Sequence, residues 1–470
     1  MVRLRIAPAP SGDLQLGNIR TALVNYAFVT QNKGEFILRI DDTNQKKSTQ
    51  ESLEKIIKTF DWLGIKFNEG PNMGGKFGPY IQSERTSLYD KYFKKLQDEG
   101  KIYECICPKR SEKKNNQEET DCKCDSIILH KKKEIISKLN GKISYRVKIK
   151  DEAPSEFKDL IMGKQKINPS KLKNPIIKRS DGTYTYIFAN CVDDYLMKIT
   201  HIMRGSDLFP STSSQVLLTN LLGGQIPIYA HLPLLLNIDG SKLSKSVGSQ
   251  SINNLKEGGY INSAILAYLL TIGEGDYKKF VLDNPKNLLE NYPIKKLGKT
   301  NQKFDPERLK WFNKQRIKKL STQELYDLSY PLLKKEHFKE PISLEILALH
   351  KDKINTLKDL NNLLKPYIPK ETGNYQLEYS SQANDQISKN ILNSLIKKIK
   401  KIKKIDSFEF NKSLNELEKE LNLKEKEGKF KIYSTIRLSL TGSMHGLEIY
   451  DIYNLIGKEE FIRRIEKFKN

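Results

Sequence analysis

The sequence lacks a long apolar run. No stretch approaches the roughly 18 consecutive apolar residues that a membrane-spanning helix needs, and residues 1–20 contain no apolar core of the kind found in a secretory signal. With 38% hydrophobic and 29% charged residues among 470, the chain is expected to form two to four domains with a well-buried core. We therefore expect a cytoplasmic protein with no membrane association.

Acidic residues are in short supply relative to basic ones. The chain has 57 Asp and Glu against 81 Lys and Arg, a formal charge of +24, which predicts attraction to a polyanion, most often a nucleic acid. The chain is also rich in Lys, Ile and Asn throughout, so compositional bias is an alternative explanation. Charge alone therefore does not establish RNA binding.

Cysteine is scarce too, and its placement is informative. Four of the five cysteines fall in two matched pairs close together in the chain, Cys105 with Cys107 and Cys122 with Cys124. Residues 109–121 between the pairs are nearly all charged or polar and offer no core in which thiols could be buried. We predict a structural Zn²⁺ site with four cysteine ligands, although the one-residue gap within each pair is tighter than usual.

The stretch APAPSGDLQLGNIRT at residues 7–21 separates a predicted strand from a predicted helix. Charged and apolar residues alternate before it, and apolar residues follow helical spacing after Gly17. The small residues Ser11, Gly12 and Gly17 let a ligand approach the backbone, and a helix N-terminus attracts anions. This pattern favours a phosphate or nucleotide site, although an ordinary first βα turn fits it about equally well.

A second stretch, DGSKLSKS at residues 239–246, carries two lysines. Lys242 and Lys245 are three residues apart, beside Ser244 and behind a turn-forming Asp-Gly pair. Lysines with neighbouring hydroxyls suit a triphosphate whose leaving group gains negative charge in the transition state. We therefore predict that this segment contacts ATP phosphates.

Together the two stretches resemble the paired signatures of the class I aminoacyl-tRNA synthetases, His-x-Gly-His and Lys-Met-Ser-Lys-Ser, in that order. The sequence RIAPAPSGDLQLGNIRT at residues 5–21 resembles RFAPSPTGxLHxGxxRT of the glutamyl-tRNA synthetases, and RIDDT at residues 39–43 resembles their RIEDT. Further matching segments lie at residues 61–65, 78–80, 82–85, 179–190, 192–194, 201 and 204–205. The resemblance covers essentially the whole chain.

The resemblance implies an α/β fold with a Rossmann-like parallel-sheet catalytic domain, an inserted acceptor-binding subdomain, and an all-α anticodon-binding region after them. We predict that the catalytic domain is split between residues 1–72 and 186–250. The inserted subdomain, which binds the acceptor stem and holds the zinc site, is expected at residues 73–185. A stem-contact connecting domain is expected at residues 251–320, and the helical anticodon-binding region at residues 321–470.

Several elements can be predicted within this frame. Residues 35–40 form a predicted strand and residues 49–63 a helix. Alternating strands resume at residue 143, and a turn at residues 179–182 leads into a further extended segment at residues 184–190. The lysine-rich residues 396–405 predict a helix with one packed face and one solvated face.

The implied activity is ATP-dependent ligation of glutamate to the 3′ end of tRNA through a glutamyl-adenylate. No protein nucleophile is needed, because the glutamate carboxylate attacks the α-phosphate and the protein supplies positioning and charge stabilisation. The predicted catalytic residues are Lys242 and Lys245, and Mg²⁺ is expected to bridge phosphate oxygens. The predicted ATP-binding residues are Ser11, Gly12, Gln15, Gly17, Asn18, Lys242, Ser244 and Lys245.

Glutamate is expected to be held by charge. Two guanidinium groups form paired hydrogen bonds with carboxylates. The neutral amide of glutamine would leave the positive charge of one guanidinium without a full negative partner. Asp41 stands where the family has a glutamate and is one methylene shorter. The positions that match the family's glutamate-binding residues are Arg5, Ala9, Asp41, Tyr186, Asn190 and Arg204.

The chain departs from the family at several of these positions. Gln15 and Asn18 replace the two histidines of the first signature, and Ala9 replaces a serine. Leu208 stands where a tryptophan is frequent. Gln15 keeps an amide donor but cannot become cationic. These changes favour a divergent member of the family.

Two other classes of protein share part of this pattern. A nucleotide-dependent oxidoreductase would also use a βα glycine turn, but GxGxxG is absent and the lysine segment is present. A catalytically silent tRNA-binding homologue is the stronger alternative because of Gln15. The predicted partners are glutamate and tRNA-Glu, the charging of tRNA-Gln stays open, and we expect a monomer.

Overall fold

The computed structural model of the chain contains two compact units. The first comprises Met1–Glu257 with Asn262–Phe312, and the second Gly258–Ile261 with Asn313–Asn470. The residues described are 1–10, 12–43, 49–107, 122, 124, 126–127, 136–137, 143–148, 156–168, 172–241, 243, 251–294, 297–335, 344–364, 385–401, 406–420, 425–442, 444 and 447–469.

Strands occur in the first unit. In chain order they are β1 (Arg3–Ile6), β2 (Glu35–Leu38), β3 (Ile102–Cys105), β4 (Ser144–Val147), β5 (Glu156–Asp159), β6 (Gly163–Lys166), β7 (Ile176–Lys178), β8 (His201–Gly205), β9 (Ile228–Leu232), β10 (Leu235–Leu236) and β11 (Gln302–Lys303).

Helices occur in both units. They are α1 (Leu16–Gln31), α2 (Gln50–Leu63), α3 (Thr86–Asp98), α4 (Tyr186–Leu196), α5 (Phe209–Leu221), α6 (Ile252–Glu257), α7 (Asn262–Leu270), α8 (Pro285–Glu290), α9 (Pro306–Lys319), α10 (Thr322–Lys335), α11 (Leu344–His350), α12 (Leu357–Leu364), α13 (Gln386–Lys401), α14 (Ser407–Glu420), α15 (Glu425–Thr441) and α16 (Ile449–Lys469).

The central strands are parallel, as predicted. β1 pairs with β2 and β8 pairs with β9, both in parallel register. Arg3 N–H donates to Thr200 Oγ1 at 2.8 Å and Arg3 O accepts from Thr200 N–H at 3.0 Å, so β1 also lies beside the start of β8. β5 continues in parallel from β9, and β6 closes the edge antiparallel to β5. The carboxyl ends of β1, β2, β8 and β9 therefore point the same way, which is where ligands bind in such sheets.

A separate antiparallel sheet, β3–β4–β7, carries Cys105 at the end of its first strand. The inner faces of this sheet and of the parallel sheet pack into one apolar core with α3, α4 and α5. Buried side chains of that core include Phe93, Val147, Phe188, Leu217 and Tyr229.

Local signals explain the first helices. The Thr49 side chain accepts from Ser52 N–H at 3.1 Å at the start of α2, and Gly64 ends the helix with a left-handed φ of 73°. The buried residues of α2 recur at intervals of three or four, at Leu53, Ile56, Phe60 and Leu63. The helix predicted at residues 49–63 is therefore confirmed.

The extended segment predicted at residues 184–190 is wrong. Only Tyr184 forms a strand-like bridge, to Lys178, and α4 begins at Tyr186. The β-branched and aromatic residues there suggest a strand, but Phe188, Ala189 and Val192 are buried with helical spacing. Tertiary burial outweighs local propensity at this point.

In the second unit the described elements are helical. In α13 the buried Ile391, Leu395 and Ile399 lie on one face, while Lys398 and Lys400 form ion pairs with glutamates of α14 and α16 on the other side. The packed and solvated faces predicted for residues 396–405 are confirmed up to residue 401, and residues 402–405 lie outside the described part. No described helix of the chain is long and apolar enough to cross a membrane.

Candidate active site

A cavity of about 320 Å³ opens at the carboxyl ends of the parallel strands. It brings together residues from the first turn, from the ends of β8 and β9, and from the lysine segment. Its lining comprises Gln15, Gly17, Asn18, Arg20, Thr21, Gly205, Asp207, Leu208, Leu232, Pro233, Leu234, Leu235 and Leu243. The two stretches that the sequence singled out, more than 200 residues apart, therefore face one cavity.

The turn before α1 is held by its own side chains. Gln15 N–H donates to Asn18 Oδ1 at 3.3 Å, and Gln15 Nε2 donates to the Asp13 carbonyl at 3.3 Å. Gly12 has a φ of 123°, and a Cβ on Gly17 would meet nothing within 4 Å. The two residues that replace the signature histidines thus close the helix N-terminus, which leaves room over Gly17 for a ligand.

Leu243 of the lysine segment and residues 251–252 beyond it lie near this turn. Asp239 closes its first turn by accepting from Ser241 N–H at 2.8 Å, and Leu243 lines the cavity. At the other end Ile252 N–H donates to Leu14 O at 3.1 Å and Ser251 bridges Gln15. The predicted residues Ser11, Lys242, Ser244 and Lys245 lie outside the described residues.

A buried ion network lies at the ends of β1 and β2. The Arg39 guanidinium has no exposed surface and donates to Asp41 Oδ1 at 2.8 Å, to Asp194 Oδ1 at 2.7 Å and to Asn190 Oδ1 at 2.8 Å. Asn190 Nδ2 donates in turn to Asp41 Oδ2 at 2.8 Å. Arg5 donates to both oxygens of Asp194, at 2.9 and 3.2 Å. Three predicted glutamate-binding residues, Arg5, Asp41 and Asn190, are thus brought together.

Charge pairing shifts the titration of this network. Burial acts to raise the pKa of Asp194, but Arg5 and Arg39 outweigh it and hold that pKa below its usual value. Burial raises the pKa of Asp41, and the opposing effect of the Arg39 charge is smaller. Burial and the nearby carboxylates of Asp41, Asp194 and Asp193 act in opposite directions on Arg39, and the carboxylates keep its pKa well above normal.

Tyr186 and Arg204 lie at the edge of the same network. Burial, followed by the Asp41 carboxylate, raises the pKa of Tyr186, while the charges of Arg5, Arg204 and Arg39 act against the rise. The Arg204 side chain is buried, and its Nη1 has no hydrogen-bond partner among the described residues. A buried cationic donor without a partner is costly unless a ligand supplies an acceptor. Ala9 is exposed in the adjoining turn.

Arg39, Asp193 and Asp194 match family motifs, but sequence reasoning assigned them no role. Besides the Arg39 contacts, Asp193 accepts from Arg85 Nε at 2.6 Å and from Gln82 Nε2 at 2.9 Å. An arginine at the end of an apolar strand was the available signal, because such a charge is rarely buried without partners. Two of the partners of Arg39, Asn190 and Asp194, lie about 150 residues away and were not predictable from local sequence.

The four cysteines form a cluster. Their sulfur atoms all lie within 4.8 Å of one another, with Cys105 to Cys122, Cys107 to Cys122 and Cys107 to Cys124 each at 3.5 Å. Sulfurs around a tetrahedral Zn²⁺ with bonds of about 2.3 Å are separated by about 3.8 Å. Burial opposes ionisation of Cys122, but hydrogen bonds from its neighbours lower its pKa to about 7. The donor set and spacing fit a metal such as zinc.

The remaining cysteine behaves differently. Cys191 is buried in α4 and its thiol donates to Gln215 O at 3.6 Å. Burial raises the pKa of this thiol to about 12. It therefore packs in the core.

A parallel sheet whose strand ends carry a nucleotide-sized cavity and a buried cluster of charges defines a nucleotide-binding α/β enzyme. Residues 1–311 match the family model for tRNA synthetases class I (E and Q), catalytic domain, and residues 296–469 match an anticodon binding domain. The chain belongs to the glutamate–tRNA ligases, a family of class I tRNA synthetases.

Individual relatives match over their full length. Glutamate–tRNA ligase 1 of Thermoanaerobacter pseudethanolicus is 34% identical, across 100% of this chain and 99% of the relative. Glutamate–tRNA ligase of Alkaliphilus metalliredigens is 31% identical over the same shares. The crystal structure of a glutamate tRNA ligase from Elizabethkingia meningosepticum, in complex with its amino acid, superposes with a TM-score of 0.77 at 28% identity, covering 100% of this chain and 99% of that one.

Replacing Asp194 with Asn should destabilise the first unit, because Arg5 and Arg39 would keep buried charges without this partner. Removing one member of a buried ion pair costs about 3–5 kcal/mol. The folded pKa of Asp194 lies below its unfolded value of about 3.9. The free energy by which ionised Asp194 stabilises the fold is therefore fully present above about pH 3.9 and is lost as the pH falls through the folded pKa.

Urea unfolding measured from pH 7 to pH 2 checks this expectation. Below about pH 4 the free energy of unfolding of the wild type should fall more steeply than that of Asp194→Asn, which has no carboxyl group at this position. Asp98→Asn, at an exposed site on α3, is the matched control. Equal stability of Asp194→Asn and the wild type at pH 7 would contradict the role of the network.

Proposed function

We propose that the protein ligates glutamate to the 3′ end of tRNA, using ATP and passing through a glutamyl-adenylate. The observation that supports this most directly is the cavity shared by Gln15, Gly17, Asn18 and Leu243, which Gly205, the residue after Arg204, also lines. Nucleotide and amino acid would then meet at the carboxyl ends of β1 and β8. The protein acts by holding them in line, so no nucleophilic side chain is required.

ATP is assigned to the cavity. Its phosphates are assigned to the turn and the α1 N-terminus, where the helix dipole attracts anions, with Ser11, Gly12, Gln15, Gly17 and Asn18 as the binding residues. Stabilisation of its leaving pyrophosphate is assigned to Lys242, Ser244 and Lys245 of the lysine segment. Bound Mg²⁺ would supply further neutralisation of the developing charge.

Glutamate is assigned to the adjoining charge network. The two N–H groups of Arg204 Nη1 take a substrate carboxylate, and Tyr186 lies within electrostatic reach of the same group. Asp41 and Asn190, already locked together by Arg39, face the amino group from the other side of the network. Glutamine offers the guanidinium only a neutral acceptor, so the site discriminates against it.

The remaining regions follow the division predicted from sequence. Residues 73–185 contact the acceptor stem, residues 251–320 the neighbouring stem, and residues 321–470 the anticodon. The excess of basic residues, formally +24, supports contact with a polyanion throughout. We expect the enzyme to act as a monomer in the cytoplasm.

The substrate assignment is tested by charging purified tRNA-Glu and tRNA-Gln side by side with labelled glutamate and ATP. We expect glutamate transfer to tRNA-Glu, and comparison of the two tRNAs decides whether the enzyme is discriminating. Glutamine in place of glutamate is the control and should give no product. Binding of tRNA without any transfer would show that the protein is a catalytically silent homologue.

Replacing Lys245 with Ala should slow glutamate activation about a hundredfold, because a preorganised cationic donor to the leaving group would be lost. Glutamate-dependent formation of ATP from pyrophosphate, with tRNA present, measures this step. Lys58→Ala, which removes an exposed lysine from α2, is the matched control. An unchanged rate in Lys245→Ala would show that the role is wrongly assigned.

The cysteine cluster is proposed to hold one structural Zn²⁺ through Cys105, Cys107, Cys122 and Cys124, with no open position for a substrate. Arg146 Nε donates to Cys105 Sγ at 3.2 Å and so offsets part of the thiolate charge. The wild type should therefore contain one zinc per chain by elemental mass spectrometry. Cys107→Ser should lose the metal, whereas Cys191→Ser should keep it. Clearly less than one zinc in the wild type, purified without chelator, would reject the site.

A further inference from the structure

A buried network of polar side chains lies behind Arg204. Asp159 at the end of β5, His231 in β9 and Thr212 in α5 are each almost fully enclosed, with exposed fractions of 2%, 0% and 0%. Arg204 Nε lies 3.3 Å from His231 Nε2, and Arg204 Nη2 donates to Thr212 Oγ1 at 2.8 Å. His231 Nδ1 lies 2.6 Å from Asp159 Oδ2. These contacts join three neighbouring strands to one helix.

The chemistry of the donors determines how the histidine is protonated. A guanidinium only donates hydrogen bonds, so His231 Nε2 accepts from Arg204 Nε and carries no proton, and the Thr212 hydroxyl, 2.9 Å from the same nitrogen, is a second neighbour of this acceptor. His231 Nδ1 is then the protonated nitrogen, and it donates to Asp159. His231 is therefore held with its acceptor nitrogen directed at Arg204.

Asp159 is itself fixed on its other side. Its Oδ1 accepts from the backbone N–H groups of Ile161 and Met162, both at 2.8 Å. Burial acts to raise the pKa of Asp159, but the hydrogen bonds from His231 and from these two N–H groups hold it below its usual value. The carboxylate therefore stays ionised and cannot rotate without losing those bonds.

These bonds determine which edge of Arg204 remains available. With Nε directed at His231 and Nη2 at Thr212, Nη1 is the guanidinium nitrogen left without a partner among the described residues. The Tyr229 ring, whose centre lies 5.5 Å from the guanidinium carbon, supports it from one side. Rotation of the guanidinium would break these bonds and change which nitrogen is left without a partner among the described residues.

We infer that Asp159 and His231 are positioning residues for substrate glutamate: they hold Arg204 so that Nη1 meets the carboxylate. This inference rests on the proposed function, because it takes Arg204 as the carboxylate partner. It adds two residues that touch no substrate but determine the affinity for one substrate and leave the ATP site unaffected.

Asp159→Asn should change the hydrogen bonds of this network in a defined way. The backbone N–H groups of Ile161 and Met162 still require an acceptor, so the amide oxygen faces them and the amide NH₂ faces His231 Nδ1. His231 must then accept at Nδ1 and carry its proton at Nε2, where it opposes the Arg204 N–H. That proton can be donated to Thr212 Oγ1, 2.9 Å from Nε2, so Arg204 would lose its acceptor on His231, and its own bond to Thr212 would compete with the new one.

Two substitutions of His231 separate its bond to Asp159 from its contacts with Arg204 and Thr212. His231→Asn keeps a donor near the Nδ1 position and removes the acceptor for Arg204. His231→Gln reaches further and supplies an amide oxygen near the Nε2 position. His201→Gln, at a half-buried histidine of β8 that lies 2.9 Å from Thr200, is the matched control.

The experiment measures KM for glutamate, KM for ATP and kcat in tRNA-Glu charging, together with Tm, for each variant. We expect KM for glutamate to rise about tenfold to a hundredfold in Asp159→Asn and His231→Asn, with KM for ATP and kcat within about twofold of wild type. His231→Gln should recover most of the loss, and His201→Gln should resemble the wild type.

Three outcomes would overturn the inference. A lowered Tm with unchanged KM for glutamate would show a purely structural network. A lower KM for glutamate in Asp159→Asn would show that the carboxylate acts only as a countercharge to Arg204. Equal effects on KM for ATP and for glutamate would show a general distortion of the site. If Asp159→Asn fails to fold, the pair of His231 variants gives the same test.

Failure of the proposed function is distinguishable from failure of this inference. If the wild type transfers no glutamate to tRNA, the function is wrong whatever the variants do. If the wild type is active and the variants keep its KM for glutamate, the function stands and only the positioning role is wrong.

Discussion

The structure depends on the burial of one permanent charge. Arg39 lies at the end of β2 with no exposed surface, and its guanidinium cannot lose its proton to escape burial. Each edge of the group must therefore meet an acceptor, and Asp41, Asn190 and Asp194 provide them. Because Asp194 also accepts from Arg5, the ends of β1 and β2 and helix α4 are locked into one arrangement. The charged residues of the candidate site are thus held in fixed positions.

The same arrangement explains why binding groups collect at one side of the sheet. Parallel strands end at a common edge, so β1, β2, β8 and β9 present their last residues together. Two kinds of site form along that edge. One is a cavity bounded by backbone and small residues near Gly17, suited to a nucleotide. The other is a cluster of guanidiniums and carboxylates with one unsatisfied donor, on Arg204, suited to an acidic amino acid.

Much of the local structure was predictable because its causes are local. The α2 helix follows from the cap at Thr49, apolar residues at intervals of three or four, and a glycine at its end. The cysteine pairs indicated a metal site because they stand in polar surroundings. By contrast, the residues around Tyr186 have strand propensity and fold as a helix, since burial of Phe188 and Val192 against the sheet outweighs propensity.

The sequence by itself determined the chemistry that is available: a small-residue turn, a lysine pair, arginines at strand ends and four clustered thiols. Only the tertiary structure decided which groups pair and which remain open. Arg5 and Arg204 look alike in sequence, yet Asp194 occupies two nitrogens of Arg5, while Arg204 Nη1 has no hydrogen-bond partner among the described residues. The physical reason is that hydrogen bonds between distant residues depend on strand register and on burial, which arise only when the whole core has formed.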